Sequence, residues 1–329
     1  MDAGLPDREN GAMSTKRVTV AVDGRELQVA NLDKVLYPAA NFTKRDVIDY
    51  LVRIAPAMLP HLRDRPLSLK RYPDGVDGIF FYEKRCPTHR PDWVCTRRVV
   101  LGTAGPIDFC IAHDVATLAW LGNIAALELH THLYRVSDDQ RPTMLVFDLD
   151  PGAPAGLRAC LDIALLMRER LAHAGLDCWA KTSGGKGLHL CVPLNTATTF
   201  AATKAFAHAF AESLSRELPD RVTSVMSKAA RPGKIFIDWS QNDRAKTTAA
   251  AYTLRAHAQP TVSTPVAWDE IVAARIRWRE GRLSFLASDV IRRVERDGDL
   301  FAEVLTRRQK LPSPDAVTEP MVSAPSARR

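Results

Sequence analysis

The sequence predicts an α/β protein, on three observations. Two short apolar runs, at 144–150 and 234–238, end in aspartate and alternate with the period of two that marks a half-buried strand. Longer segments at 47–54, 157–172 and 197–218 repeat their apolar residues at three and four positions, as a helix does when it packs one face on a core. The composition agrees: 46% hydrophobic and 25% charged residues over 329 positions is an ordinary globular balance, in a chain long enough for one large or two modest domains.

In chain order, residues 1–16 are polar and aperiodic and are expected to be a disordered N-terminus. Val18–Val29 reads as two strands about an Asp23-Gly24 turn. A loop or short helical turn follows, and Thr43 is placed to cap a helix carrying Val47, Ile48, Leu51 and Ile54 on one stripe. Lys34 and Lys44 flank this turn, and solvated charge is the default for both. Pro66–Tyr72 alternates as a strand. In the next run, Phe80, Phe81 and Tyr82 would ordinarily be core, but three consecutive aromatics cannot face one side, which leaves at least one exposed for stacking. Ala116–His130 reads as one helix, with Leu118, Leu121, Ala125 and Leu129 in a row. His130 and His132 at its end suit either a helix cap or a metal-binding pair.

Beyond the first aspartate run, the helical stripe of Leu157, Leu161, Ala164, Leu165 and Ala172 closes at Gly175. Cys178–Lys181 and Leu188–Pro193 read as strands, the second with Leu188, Leu190 and Val192 on one face and His189 and Cys191 on the other. The turn between them, Thr182-Ser-Gly-Gly-Lys-Gly, offers backbone N–H groups, a hydroxyl and a cation to a phosphate, without the spacing of a Walker A loop. A helix over 197–218 aligns Phe206, Phe210, Leu214 and Leu218. A basic loop at 228–231 then leads into a strand on which Phe236 and Asp238 oppose Ile235 and Ile237. Arg255 arrives on a further strand. From Leu311 the prolines predict a disordered tail, so the folded domain is expected over 17–310.

The net charge of +7 and pI of about 9.2 lean towards a polyanionic partner, although a basic balance also serves solubility alone. Six cysteines without a Cys-x-x-Cys pair predict neither a zinc site nor a disulfide framework and suit a reducing cytoplasm. No apolar run approaches the roughly 20 residues of a membrane span, and the N-terminus has no signal-peptide core.

The chemistry centres on Met144–Gly152. Asp148 and Asp150 share a strand face about 7 Å apart, an oxygen-rich site for a hard divalent cation. An isolated Asp-x-Asp before Pro-Gly is equally a polar strand end entering a turn. Asp238 adds a third strand-end carboxylate. Three carboxylates can hold two divalent ions that clamp a triphosphate and an attacking hydroxyl for in-line displacement. The Ser183–Lys186 turn and the basic loop can neutralise the triphosphate, and nucleotidyl transfer follows as the expected chemistry.

Five ordered motifs then carry a resemblance: Asp-Lys-Val-Leu-Tyr-Pro at 33–38, Phe-Tyr-Glu-Lys at 81–84, Leu-Val-Phe-Asp-Leu-Asp-Pro-Gly at 145–152, Thr-Ser-Gly-Gly-Lys-Gly-Leu-His at 182–189 and Phe-Ile-Asp-Trp-Ser-Gln-Asn at 236–242. Over about 18–310 the chain resembles the polymerase domain of bacterial DNA ligase D, in the archaeo-eukaryotic primase superfamily. The resemblance implies a two-subdomain primase-polymerase fold, with a mixed or antiparallel catalytic sheet flanked by helices. It implies that Asp148, Asp150 and Asp238 hold two Mn²⁺ or Mg²⁺ ions. It places Ser183, Lys186 and His189 beside the triphosphate, with Arg231 and Arg255 as further contacts and His130 beside the sugar. Lys34 and Lys44 match the residues that take the 5′-phosphate of a DNA break, and Phe81 or Tyr82 the platform for the template strand. Gly185 departs from relatives that often carry serine there.

The implied activity is template-dependent, weakly terminal addition of nucleotides at gaps and overhanging ends in non-homologous end joining, with a preference for ribonucleotides. Partners implied are 5′-phosphorylated DNA, NTP or dNTP, and beside them Ku and a DNA ligase; the implied location is the bacterial cytoplasm, at the nucleoid. The Lys-x-Asp-Gly motif of the ligase module is absent, so a stand-alone polymerase or cut-out domain is expected. An Asp-x-Asp glycosyltransferase would need no third aspartate and no basic DNA surface. An inactive DNA-end-binding module would be expected to have lost a carboxylate, and all three are present.

Overall fold

The computed structural model describes residues 17–102, 105–279 and 281–317. The predicted N-terminal segment 1–16 lies outside them. Helix α1 (Lys44–Leu62) starts where Thr43 accepts from the Asp46 amide while Asp46 accepts from Thr43, a reciprocal cap. It buries Val47, Leu51 and Ile54. Helix α2 (Val115–Asn123) is capped by Asp114 and packs on α1. Helices α3 (Leu157–His173) and α4 (Phe200–Glu217), with α5 (Trp268–Ile276), cover a second region, and α6 (Ala287–Asp297) returns to α1.

Two six-stranded sheets organise the described residues. The first has the order 222–223, 235–238, 144–151, 188–193, 179–182, 265–266, antiparallel except between its first two strands. The second runs 248–249, 126–131, 67–71, 106–110, 96–100, with 81–83 also pairing to 67–71. Period-two alternation decides how they meet. Leu145, Phe147 and Leu149 pack with α3 and α4 in one core, whereas Val146 and Cys191, on the opposite face, join the core that contains α1 and the second sheet. The face bearing Asp148 is therefore the face turned towards the other sheet. This is the two-subdomain arrangement expected.

Four expectations change. The helix predicted over 116–130 ends at Asn123; Ala125 takes a positive φ of 56°, and Ala126–Thr131 is a strand. Leu127, Glu128, Leu129 and His130 fit either period over so short a run, and pairing with Leu67–Arg71 selects the strand. The aromatic run is wholly exposed: Phe80, Phe81 and Tyr82 are each about half accessible. Cys86 and Cys110 form a disulfide, because the Cys86 amide docks on Asp108 O and places two cysteines 24 residues apart side by side, an adjacency that spacing alone does not reveal. The tail also starts later than Leu311, since Pro314–Val317 forms a short turn that buries Val317 in the α3–α4 core; residues 318–329 lie outside the description.

Candidate active site

The strand Met144–Pro151 lies between two antiparallel neighbours, and the register puts Asp238 and His189 directly opposite Asp148, one on each side. Asp150 pairs with Phe236, one step along, so the three predicted aspartates meet at one end of the sheet. Burial, then the charges of Asp150 and Asp238, push the Asp148 carboxyl up to about 7. Burial and Asp238 also raise Asp150, against the pull of Arg231. Carboxylates crowded in this way form a site that a cation relieves.

Asp238 is held by the residues that follow it. Its oxygens accept from the Ser240 amide at 2.9 Å and from Gln241 Nε2 at 2.9 Å, and Lys246 in turn donates to Ser240. Among the described residues, no three His, Cys, Asp or Glu side chains are drawn together as a ready metal cluster. The donor set is nonetheless all oxygen, on rigid strands, and its repulsion is of the sign a divalent ion removes, so the residues fit such an ion.

His189 is buried, with Nε2 at 3.4 Å from Asp148 Oδ1. Lys181 Nζ donates to its Nδ1 at 2.8 Å and to Ser263 Oγ at 2.7 Å, which leaves the ring proton on Nε2, facing the carboxylate. Burial and the positive charge of Lys181 hold His189 well below its usual value, so the ring is neutral. Burial also lowers Lys181, to about 8. Sequence reasoning missed Lys181. The signal was its alternation with core-facing Ala180, which sets it on the face of its cross-strand partner His189.

The second sheet contributes Glu128, also missed. It was concealed by the helical reading of 116–130, although a strand places it on the face of His130. Glu128 is buried among His130 Nε2 at 2.9 Å, Arg255 Nε at 3.4 Å, Lys70 Nζ at 3.7 Å and the Ala256 amide. Burial opposes its ionisation, but the His130 hydrogen bond and the Arg255 charge prevail and hold it at about 2. Arg255 Nη1 reaches Ser183 O at 2.6 Å, so His130, Glu128, Arg255 and the glycine turn form one linked array.

Within that turn Ser183 Oγ accepts from the amides of Gly185 and Gly187, two N–H groups the sequence would have offered to a phosphate. A Cβ on Gly187 would lie 2.2 Å from Leu149 O, so only glycine lets the turn press against the aspartate strand. At Gly185 a Cβ would come within 3.0 Å of His257 Nε2, crowding that a serine would face here. Lys186 is exposed at the tip. Arg231 stacks over Phe236 at 3.8 Å and approaches Asp150 Oδ2 at 3.9 Å.

Tyr82 sits edge-on to His130 at 6.1 Å and hydrogen-bonds Thr247, which places the exposed aromatic strand at the lip of the site. Lys34 and Lys44 stand apart from the aspartates, together on a small hairpin where the Lys44 amide donates to Lys34 O. Lys34 pairs with Asp74 at 2.7 Å, and Lys44 Nζ donates to Ala30 O. Burial, then the Lys34 charge, lowers Lys44. Tyr37 of the same hairpin donates to Arg255 O, tying it to the array.

Fold and site together define a class: two packed sheets, with strand-end carboxylates on one facing Glu128 and His130 on the other, and Arg255 paired to Glu128. The chain belongs to the family described as LigD, primase-polymerase domain, whose model matches residues 43–301. It is 37% identical over 331 residues to the multifunctional non-homologous end joining DNA repair protein LigD of Mycobacterium tuberculosis (strain H37Rv), covering 95% of this chain and 42% of that protein. The multifunctional non-homologous end joining protein LigD of Mycolicibacterium smegmatis is 40% identical over 278 residues, covering 84% of this chain and 36% of that one. The chain thus spans less than half the length of these relatives. A solved structure, the polymerase domain from Mycobacterium tuberculosis ligase D in complex with DNA, superposes with a TM-score of 0.80 at 37% identity, covering 86% of this chain and 99% of that one. The fold is accordingly that of the archaeo-eukaryotic primases. No described helix is long and apolar enough to cross a membrane.

Proposed function

We propose that this chain is a template-dependent nucleotidyltransferase that fills gaps and extends DNA ends in non-homologous end joining, with a preference for ribonucleotides. The observation that carries the proposal is the cross-strand pairing of Asp148 with Asp238, facing the Ser183 turn, Arg255 and His130. Asp148, Asp150 and Asp238 would hold two divalent ions, Mn²⁺ or Mg²⁺, which supply charge neutralisation for phosphoryl displacement when bound. Neutral His189, fixed by Lys181, keeps Asp148 oriented. Arg255, Arg231 and Lys186 offer cations to a triphosphate, and Glu128 holds His130 in place for the sugar. Exposed Phe81 and Tyr82 offer ring faces to a template base. Lys34 and Lys44 form a separate receptor for a terminal 5′-phosphate, and the relatives' DNA partner supports it. Ku and a DNA ligase belong to the same reading as partners, and the bacterial cytoplasm, at the nucleoid, as its location.

The testing experiment is primer extension on a gapped duplex, with each NTP and dNTP and each metal in turn, comparing parent and Asp148→Asn. Extension by the parent that is lost in the variant is expected. Parent inactivity with every nucleotide and metal would sink the proposal.

A further inference from the structure

A second open cleft, of about 600 Å³, lies away from the carboxylate site. Arg135 and Arg141 wall it from the hairpin of strands 134–135 and 138–142, and Thr306 and Arg308 close it from the C-terminal segment. Its floor is Thr143, immediately before the strand that carries the aspartates. The cleft therefore sits at the opposite end of that strand, since four residues from Met144 to Asp148 span roughly 13 Å.

Its charge is unbalanced. Asp138 is the one carboxylate in the lining, and it faces Arg141 at 3.5 Å with both side chains well exposed, a weak pairing. Among the described residues neither Arg135 nor Arg308 forms an ion pair. Arg135 Nε is buried and has no hydrogen-bond acceptor. Behind it, buried Arg65 donates only to neutral oxygens, those of His132, Tyr134 and Thr143. The Arg135 charge lies near enough to repel Arg65. Two guanidiniums so close together without a carboxylate partner are unfavourable, and an anion in the cleft would offset their repulsion. No aromatic side chain lines the cleft, so a base finds no stacking platform there. Recognition must run through charged oxygens.

We propose that this cleft is a phosphate-binding site separate from the carboxylate site, accepting the phosphodiester backbone of a nucleic-acid strand or a free phosphate anion. Arg141→Glu with Arg308→Glu tests it, because both side chains are exposed and neither is needed for packing. Arg135→Gln serves as a second, independent variant. Binding of a labelled 20-nucleotide single strand over a salt series, and of inorganic pyrophosphate by calorimetry, would be measured without divalent ions. Arg292→Glu with Arg296→Glu, at exposed positions of α6, gives a control of equal charge change. The double cleft variant should bind at least one probe about tenfold more weakly than this control. If the probe is DNA, its salt slope should fall by about 1.4, at about 0.7 for each lost contact to a single strand. Weakening for DNA assigns the strand backbone, and weakening for pyrophosphate alone assigns the free anion. Neither probe weakened beyond the control would overturn the site. No nucleotide addition is measured, so the outcome is independent of activity at the aspartates.

Discussion

Asp148 and Asp238 are direct cross-strand partners, one on the strand Met144–Pro151 and the other on Ile235–Asp238. Directly opposed residues on antiparallel strands hold their Cβ atoms about 5 Å apart, so like charges there destabilise the sheet unless something compensates them. Removal of either carboxylate should therefore abolish nucleotide addition while leaving DNA binding largely intact. The loss expected is several kcal/mol of transition-state stabilisation. Primer extension and DNA binding by Asp148→Ala and Asp238→Ala, measured side by side, decide it; near-parental extension by either variant contradicts the role assigned.

The same repulsion has a stability signature. With its folded-state carboxyl at about 7 and its ordinary value at 3.8, Asp148 keeps a proton in the native state that the unfolded chain has lost. Its contribution to stability therefore falls as pH rises from about 4 through 7. Asp148→Asn should melt several degrees higher than the parent above pH 7 without divalent ions. Added Mn²⁺ should raise the parent's melting temperature and close that gap. Equal melting of the two proteins at pH 8 would count against the repulsion.

Glu128 behaves in the opposite sense. Held at about 2, below its ordinary 4.5, it stabilises the fold fully above pH 4.5 and loses that contribution as pH falls towards 2. Glu128→Ala leaves His130 and Arg255 without their buried partner and should cost about 3–5 kcal/mol. The milder Glu128→Gln should flatten the acid limb of the stability curve. Denaturant melts at pH 3 and pH 7 would show whether it does.

His130→Ala should weaken use of NTP more than of dNTP, if the ring meets the 2′-hydroxyl. One hydrogen bond, about 0.5–1.5 kcal/mol, moves the ratio by up to roughly tenfold. Competing NTP and dNTP incorporation measures it. An unchanged ratio with activity preserved would leave His130 only its structural bond to Glu128.

The double variant Lys34→Ala with Lys44→Ala should lose any preference for gaps bearing a 5′-phosphate and still extend an open primer-template. Because Asp74 occupies Lys34, Asp74→Asn should strengthen that preference modestly, within the worth of an exposed ion pair, about 1 kcal/mol or less. Gap filling on paired substrates over a salt series tests both, since the preference should shrink as salt rises.

What the sequence determined by itself was whatever depends on local period and turn chemistry. The alternation about Asp148 assigned its core and cleft faces, Thr43 announced α1, and the turn at Ser183–Gly187 stood between the strands foreseen for it. The helix over 116–130 failed because a run as short as Leu-Glu-Leu-His satisfies either period, and only the partner strand Leu67–Arg71 chooses between them. Tertiary structure alone decided that Lys181 is braced by Ser263, that Glu128 gathers His130, Arg255 and Lys70, and that Cys86 meets Cys110. Each joins residues whose proximity is created by strand pairing and the packing of two sheets, and no spacing along one chain encodes which face of one sheet will meet the other.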